Sequence, residues 1–312
     1  MIAIPPPVLR PPFDITRASH VVLTVRDLAA SRAFYVDTLG FVVSDEDVDT
    51  LYLRGIEEVC HHSLVLWRAG SAACAAIGMR ARTADDIAAA VDHLRGAGLS
   101  AARVARAFQH DTLLLHDPAG VPLELCAAME TRPRMLMQFE AHHGGCPLRL
   151  DHVQVLVPDV AAQMRFYMAA GFRLSEYIVS DDEAELLFAF LQRKGNPHDI
   201  VFARGEGPRL HHVAFMVPEV HHLMFVCDLC ARNGFGAAVE YGPGRHYGPG
   251  YARFVYLRDP DGHRIELFNT HYQTIDLEEE PARWRLADLY STRWGPRPPA
   301  SWLGEATGFA AA

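Results

Sequence analysis

The chain repeats itself over much of its length. Residues 20–41, HVVLTVRDLAASRAFYVDTLGF, realign with residues 152–172, HVQVLVPDVAAQMRFYMAAGF, and the histidine, the aspartate and the Phe-Tyr pair keep equal spacing. A second match pairs LHDPAGVPLEL around Glu124 with LRDPDGHRIEL around Glu266, where the distance from Asp-Pro to Glu is again the same. Internal repetition on this scale predicts two halves built on one plan.

Each half is itself predicted to contain two similar modules. Residues 21–25 alternate as a strand, Asp27 is placed as the N-cap of a helix that Gly40 ends, and three short β-rich runs follow. The sequence therefore predicts an α+β fold of four βαβββ modules. They are expected to begin near Ala18, Ala73, Leu150 and Arg209.

The composition excludes several classes of protein. The 312 residues are 50% hydrophobic, enough for a substantial core, and the net charge of −9 without a long basic run argues against nucleic-acid binding. No apolar run approaches the ~18 residues of a membrane span, and the N-terminus lacks the features of a secretory signal, so we expect a cytoplasmic protein. The six cysteines are expected to be reduced and mostly buried, with Cys227 and Cys230 as packing residues.

Three separated residues of the second half are candidate metal ligands: His152, His212 and Glu266. A histidine on a strand is by itself more often a packing residue than a ligand. Two imidazoles and one carboxylate, however, form the facial triad that suits non-heme iron(II), because three protein ligands leave positions open for substrate and dioxygen. The set therefore predicts an oxygenase.

The repeat tests this prediction, because a functional set can survive in one half alone. The first half supplies His20, Ala76 and Glu124 at the corresponding places, and alanine cannot bind a metal. We therefore expect a structural first half whose His20 is a packed or surface residue. Because side chains alternate along a strand, Gln154 is expected beside His152, and His211 must point away from His212.

Further motifs carry a resemblance to a known family. YLRGIEEVCHHSLVL, RKGNPHD, GPRLHHVAF, GPGRH and VYLRDPDGHRIE resemble the extradiol ring-cleaving dioxygenases of the vicinal oxygen chelate superfamily, nearest the catechol and homoprotocatechuate 2,3-dioxygenase branch. The resemblance covers nearly the whole chain. It implies that the modules pair into two open, β-barrel-like domains, and that a catechol is opened with dioxygen beside its two hydroxyls to a 2-hydroxymuconic semialdehyde-type product.

The resemblance also implies roles for individual residues. His152, His212 and Glu266 would bind Fe(II) or Mn(II). His198 would act as the acid and base, Tyr256 would hydrogen-bond a substrate oxygen, and His246 would line the site. The partners implied are a small aromatic diol and dioxygen, and a homo-oligomer, the tetramer usual in the family, is expected.

The substrate pocket departs from the homoprotocatechuate pattern at several positions. Gln154 stands for the usual asparagine, Phe190 for tryptophan, and Tyr241 and Tyr290 for the two arginines that bind the substrate carboxylate. Arg245 and Arg293 remain as other sources of positive charge, and the loop after His246 is one residue longer than usual. We therefore expect an uncharged substrate, catechol or an alkylcatechol, with homoprotocatechuate or another carboxylated catechol as the alternative.

Two rival functions and the domain boundaries complete the sequence-based expectations. A glyoxalase-type metal isomerase or lyase would share the module without needing His198 or Tyr256, and a noncatalytic small-molecule binding protein would not need a complete triad. The expected domains are 1–130 without metal, a linker at 131–149, a catalytic domain at 150–275 and a tail at 276–312. That tail is predicted to be a lid or a subunit contact.

Overall fold

The structure is a computed structural model that describes residues 2–246, 248, 250–290 and 294–311, with only the backbone described at Tyr290. The first half contains two modules. They consist of β1 (Ile15–Val25), α1 (Leu28–Arg32), β2 (Val42–Glu46), β3 (Thr50–Arg54) and β4 (Leu64–Arg68), then β5 (Ala73–Ala81), α2 (Ala84–Gly96), β6 (Ala101–Val104), β7 (Gln109–His116) and β8 (Pro122–Met129). Helix α1 continues as a π-helical segment, Ala33–Thr38.

The second half repeats this order after a connection that carries a short 3-10 turn, Phe139–Ala141. Its modules consist of β9 (Arg149–Val157), α3 (Val160–Ala169), β10 (Arg173–Val179), β11 (Leu186–Gln192) and β12 (Ile200–Arg204), then β13 (Arg209–Met216), α4 (His221–Arg232), β14 (Val239–Arg245), β15 (Arg253–Arg258) and β16 (Arg264–Asn269). The tail adds β17 (Ala282–Arg285), α5 (Ser301–Gly304) and β18 (Thr307–Gly308). Two further 3-10 turns lie at Gly236–Ala238 and Ala287–Tyr290.

Each half forms one mixed sheet that stays open. The strand order is β2-β3-β4-β1-β5-β8-β7-β6 in the first half and β14-β15-β16-β13-β9-β12-β11-β10-β17 in the second. The leading strands of paired modules lie side by side and antiparallel, β1 with β5 and β9 with β13. In the described part of the chain the two end strands of a sheet do not pair with each other, so neither sheet closes into a barrel.

The turns between strand and helix follow from local chemistry. The Asp27 carboxylate accepts hydrogen bonds from the amides of Ala29 and Ala30, which otherwise have no partner at a helix start. Gly40 follows the helical segment with a φ of 86°. A β-carbon there would lie 2.1 Å from the carbonyl oxygen of His143, so only glycine fits.

Alternation along strand β9 positions the site. Val153, Val155 and Val157 are fully buried in an apolar core that extends through both halves. The opposite face carries His152 and Gln154, which are 3% and 7% exposed. Because the apolar face packs against the helices, the polar face must point into the concave side of the sheet.

The predicted α+β fold of four βαβββ modules is confirmed. Modules two and four begin at Ala73 and Arg209 as expected, and module three begins one residue early. Module one begins at Ile15 rather than near Ala18, because Ile15 pairs with Ala81 and lengthens the ladder between β1 and β5. No described helix is long and apolar enough to cross a bilayer.

Candidate metal and substrate site

Three neighbouring strands bring the candidate ligands together. His152 lies on β9, His212 on β13 and Glu266 on β16. Ala214 on the middle strand pairs with His152 on one side and with Glu266 on the other, so its small side chain leaves space between them. The Nε2 atoms of the two histidines lie 3.3 Å apart. Glu266 Oε2 lies 3.2 Å from that of His152 and 3.3 Å from that of His212.

The arrangement fits a divalent metal ion. All three side chains are no more than 4% exposed, and Glu266 Oε2 has no hydrogen-bond partner among the described residues. Burial acts to raise the pKa of Glu266, but contacts with His152 and His212 outweigh it and hold the pKa well below its usual value. Two nitrogens and one carboxylate oxygen in a compact triangle match the facial triad of iron(II) and manganese(II) sites.

A hydrogen bond to Asp151 sets the orientation of the His152 ring. Its Nδ1 lies 2.9 Å from Asp151 Oδ2 and can donate only in that direction, which leaves the Nε2 lone pair facing Glu266. Asn196 donates to the same Asp151 oxygen at 3.0 Å, and His271 Nδ1 lies 3.3 Å from it. Burial acts to raise the pKa of Asp151, but the charge of Lys194 and these contacts hold it well below its usual value.

A second group of three side chains is also compact enough for a metal, namely His152, His198 and His271. It shares His152 with the first group and consists of imidazoles alone. The group with Glu266 contains an anion that offsets the charge of the metal, and its His152 nitrogen points away from Asp151. The triad therefore fits a metal better than the three imidazoles do.

The corresponding place in the first half is filled by protein. His20 pairs with Gly78, just as His152 pairs with Ala214, and this register makes Ala76 the counterpart of His212. His20 Nε2 lies 3.1 Å from Glu124 Oε2, and Arg106 donates to the other oxygen at 2.5 Å. A guanidinium therefore neutralises Glu124 where the second half has its triad, and His20 is fully buried.

His198 lies in the connection between β11 and β12, against the triad. Its ring centre is 4.2 Å from that of His152, and its buried Nδ1 has no hydrogen-bond partner among the described residues. Burial, and then the nearby His152, lower the pKa of His198 well below its usual value. A neutral imidazole in this position can accept a proton.

Tyr256 and His246 lie on the other side of the triad. The Tyr256 hydroxyl is 3.1 Å from His246 Nε2, which in turn lies 3.7 Å from Glu266 Oε1. Burial, and then the charge of Glu266, raise the pKa of Tyr256 well above its usual value, so its hydroxyl remains a donor. The ring of Tyr241 stacks parallel to that of Tyr256, with centroids 5.7 Å apart.

A cavity of about 140 Å³ opens onto the triad. Gln154, Phe190, Tyr241, His198, His246 and Tyr256 line it with the three candidate ligands. Its apolar wall is made by Ile178, Phe188, Val201, Leu286, Leu289 and Pro298. Three of these, Leu286, Leu289 and Pro298, come from the tail. No lysine or arginine lines the cavity in the part of the chain that the structure describes.

Of the remaining predicted pocket residues, only the side chain of Arg245 is described. Arg245 is absent from the described cavity wall, and its guanidinium lies 3.9 Å from the ring centre of Tyr251. The side chain of Tyr290 and the whole of Arg293 fall outside the described residues. Sequence reasoning missed Asp151, Asn196 and His271. The position of Asp151 next to a candidate ligand was a usable signal, whereas His271 reaches the site from a loop after β16 without any motif.

The chain is similar to a known family in sequence and to solved dioxygenases in structure. The Glyoxalase/Bleomycin resistance protein/Dioxygenase superfamily profile matches residues 17–125 and 149–267. Homoprotocatechuate 2,3-dioxygenase from Brevibacterium fuscum, solved with 3,4-dihydroxyphenylacetate, superimposes with a TM-score of 0.91 at 37% identity, covering 98% of this chain and 96% of that one. The chain belongs to the extradiol dioxygenases of the vicinal oxygen chelate superfamily.

Curated sequences extend the relationship to other extradiol dioxygenases. Metapyrocatechase of Geobacillus stearothermophilus is 26% identical over 95% of this chain and 92% of its own length. Manganese-dependent 2,3-dihydroxybiphenyl 1,2-dioxygenase of Geobacillus genomosp. 3 is 27% identical over 88% of this chain and 92% of its own length. The protein is thus an enzyme of extradiol ring cleavage, in a family that uses Fe(II) or Mn(II) and acts on aromatic diols with dioxygen.

Proposed function

We propose that this extradiol dioxygenase cleaves catechol or an alkylcatechol, with His152, His212 and Glu266 as the metal ligands. The observation that carries the substrate proposal is the composition of the cavity wall, which has a continuous set of apolar side chains and no described lysine or arginine. A buried carboxylate without a positive partner costs several kcal/mol or must take up a proton. An uncharged ring substituent meets no such cost there.

The residues around the triad divide the chemical work. A bound Fe(II) or Mn(II) would hold the catechol oxygens and dioxygen side by side and make the first hydroxyl more acidic. We propose that His198 takes the remaining hydroxyl proton and later returns it, since its imidazole is neutral, buried and next to the triad. Tyr256, held by His246, would donate a hydrogen bond to a substrate oxygen.

The two halves and the tail have separate roles in this proposal. Residues 1–130 would form a structural domain. Arg106 fills the space that a metal ion would need beside Glu124, and Ala76 replaces one of the three ligands. Residues 131–149 would be the linker, and residues 150–275 would form the catalytic domain. The tail from 276 to 312 would act as a lid, because Leu286, Leu289 and Trp302 line the cavity.

A carboxylated catechol is the second candidate. This candidate is supported by the similarity to the Brevibacterium fuscum enzyme, which is 37% identical to this chain and whose structure contains 3,4-dihydroxyphenylacetate. The two candidates differ in the side chains that their ring substituents need. The carboxylate of homoprotocatechuate needs a cation beside it, whereas an alkyl substituent needs apolar contacts such as those of Leu286 and Leu289.

Turnover of a matched substrate panel tests the proposal. The protein is loaded with Fe(II) without oxygen, and catechol, 3- and 4-methylcatechol or homoprotocatechuate is then added with air. We expect a yellow ring-opened product and the highest kcat/KM for an uncharged catechol. A clear preference for homoprotocatechuate would refute the substrate proposal, and a His198→Gln variant that retains iron but turns over as fast as the parent would refute the role of His198.

We also propose a cytoplasmic homo-oligomer, in line with the tetramer expected from the family. Support comes from the exposed apolar side chains of Met137 and Phe139, 80% and 69% exposed, and from the six free cysteines. Light scattering on the purified protein checks the assembly, and a monomer at micromolar concentration would contradict it.

A further inference from the structure

A hydrogen-bond chain joins the candidate ligand His212 to the C-terminal tail. The Nδ1 atoms of His212 and His211 are 2.8 Å apart, and the other nitrogen of His211, Nε2, lies 2.7 Å from the backbone carbonyl oxygen of Trp302. His211 is 1% exposed and His212 is 3% exposed. These hydrogen bonds are therefore shielded from water, and the two imidazoles have few alternative hydrogen-bond partners.

The direction of the hydrogen bonds follows from the carbonyl end. A carbonyl oxygen only accepts, so the hydrogen between His211 and Trp302 must be on His211 Nε2. A neutral His211 then has a lone pair at Nδ1, which accepts from the Nδ1–H of His212. His212 Nε2 is left with its lone pair, and that atom faces Glu266 at 3.3 Å. The Trp302 carbonyl thus orders all four imidazole nitrogens.

The tail is held in register with this chain by independent contacts. Strand β18 pairs with β13, the strand that carries both histidines, through Arg209 with Gly308 and Leu210 with Thr307. The ring of Trp302 packs edge-on against His211 with centroids 4.6 Å apart. Farther along, the Ala310 amide donates to the Cys74 carbonyl in the first half at 2.9 Å. These contacts hold Trp302 and the residues that follow it against β13 and the first half.

We propose that the C-terminal segment 299–310 helps to retain the metal. It acts through His211, a positioning residue that orients the candidate ligand His212. The inference rests on the proposed ligand set. Docking of the segment fixes His211, and His211 fixes the ring orientation and the metal-facing lone pair of His212. Retention of the metal therefore depends on a segment that supplies no ligand. Hydrogen-bond partners of metal-bound histidines typically change metal affinity by about 10- to 100-fold.

The test measures loss of metal rather than turnover. Full-length protein is loaded with Fe(II) without oxygen, mixed with excess coloured iron chelator, and the rate of iron release is recorded. We expect His211→Leu to release iron about 10- to 100-fold faster than the parent. His211→Gln should lie nearer the parent, because an amide can donate to the Trp302 carbonyl and accept from His212. His221→Leu, at a histidine with a 65% exposed side chain, is the matched control and should release iron at the parent rate.

A double-mutant comparison separates transmission through His211 from general loosening. Trp302→Ala should accelerate release in the parent and have little further effect in His211→Leu, because the link is already broken there. Equal acceleration by Trp302→Ala in both backgrounds would overturn the proposal, as would release from His211→Leu and His211→Gln at the parent rate. If His212→Ala itself retains iron like the parent, the ligand set is wrong; if it loses iron while both His211 variants retain it, only this inference fails.

Discussion

Glu240 is the counter-ion of a buried arginine beside the metal site. Its carboxylate accepts hydrogen bonds at 2.7 to 2.9 Å from both Arg258 and Arg264, and at 2.7 Å from the hydroxyl of Ser301. The side chain of Arg264 is 0% exposed, and that of Glu240 is 9% exposed. Replacing Glu240 by glutamine removes the charge while nearly keeping the shape, and leaves Arg264 buried without a counter-ion.

The loss of stability in Glu240→Gln follows both from the burial of its ion pair and from the pKa of Glu240. Breaking a buried ion pair by removing one partner costs about 3 to 5 kcal/mol. Burial acts to raise the pKa of Glu240, but hydrogen bonds from Arg264 and Arg258 outweigh it and lower the pKa from 4.5 to about 2. At ~1.4 kcal/mol per pKa unit, the lowered pKa corresponds to a stabilisation of about 3 kcal/mol. We therefore expect Glu240→Gln to lower the free energy of unfolding by about 3 kcal/mol at pH 7.

The pKa of Glu240 also determines how its contribution to stability depends on pH. The folded-state pKa lies below the unfolded value, so the stabilisation is fully present above about pH 4.5 and is lost as the pH falls towards 2. At pH 3 about 1.5 kcal/mol should remain. Urea unfolding followed by tryptophan fluorescence at pH 7 and pH 3 measures the difference between parent and variant. Glu206→Gln, at a side chain 93% exposed, is the control and should change stability by less than about 0.5 kcal/mol. A Glu240→Gln effect below about 1 kcal/mol at pH 7, or one of equal size at both pH values, would refute the reasoning.

Three further predictions concern catalysis and metal binding. His198→Gln should lower kcat by about 10²- to 10⁴-fold with unchanged iron content, measured by steady-state kinetics and elemental analysis; iron loss in parallel would contradict a purely catalytic role. Glu266→Ala should abolish tight Fe(II) binding in equilibrium dialysis, while Glu124→Ala should leave iron content unchanged. Gly250→Ala should lower kcat, since its β-carbon would lie 2.9 Å from His271 Nε2 and 3.3 Å from His198 Cε1 at a φ of 70°. Gly98→Ala, with a similar φ of 74° and no atom within 4 Å, controls for backbone strain alone and should leave kcat unchanged.

Much of the fold could be predicted because the same local pattern occurs four times. Alternation along β9 and β13 assigns His152, Gln154 and His212 to one side, and the registers around Ala214 and Gly78 show the equivalence that the repeat predicted. The start of β1 was misplaced by three residues, because Ile15 joins the strand only through its partner Ala81. That pairing lies 66 residues away in the chain and leaves no local signal.

The sequence by itself determined the module, its repetition and the candidate ligand set of one half, because strand alternation and helix caps depend on neighbouring residues. Only the tertiary structure decided what surrounds that set. Arg106 fills the equivalent place in the first half, His271 reaches Asp151 from a loop, and the carbonyl of Trp302 reaches His211 from 91 residues along the chain. These contacts join segments that no periodicity relates, and a backbone carbonyl has no residue type to reveal it. They exist only once the sheets and the tail have packed together.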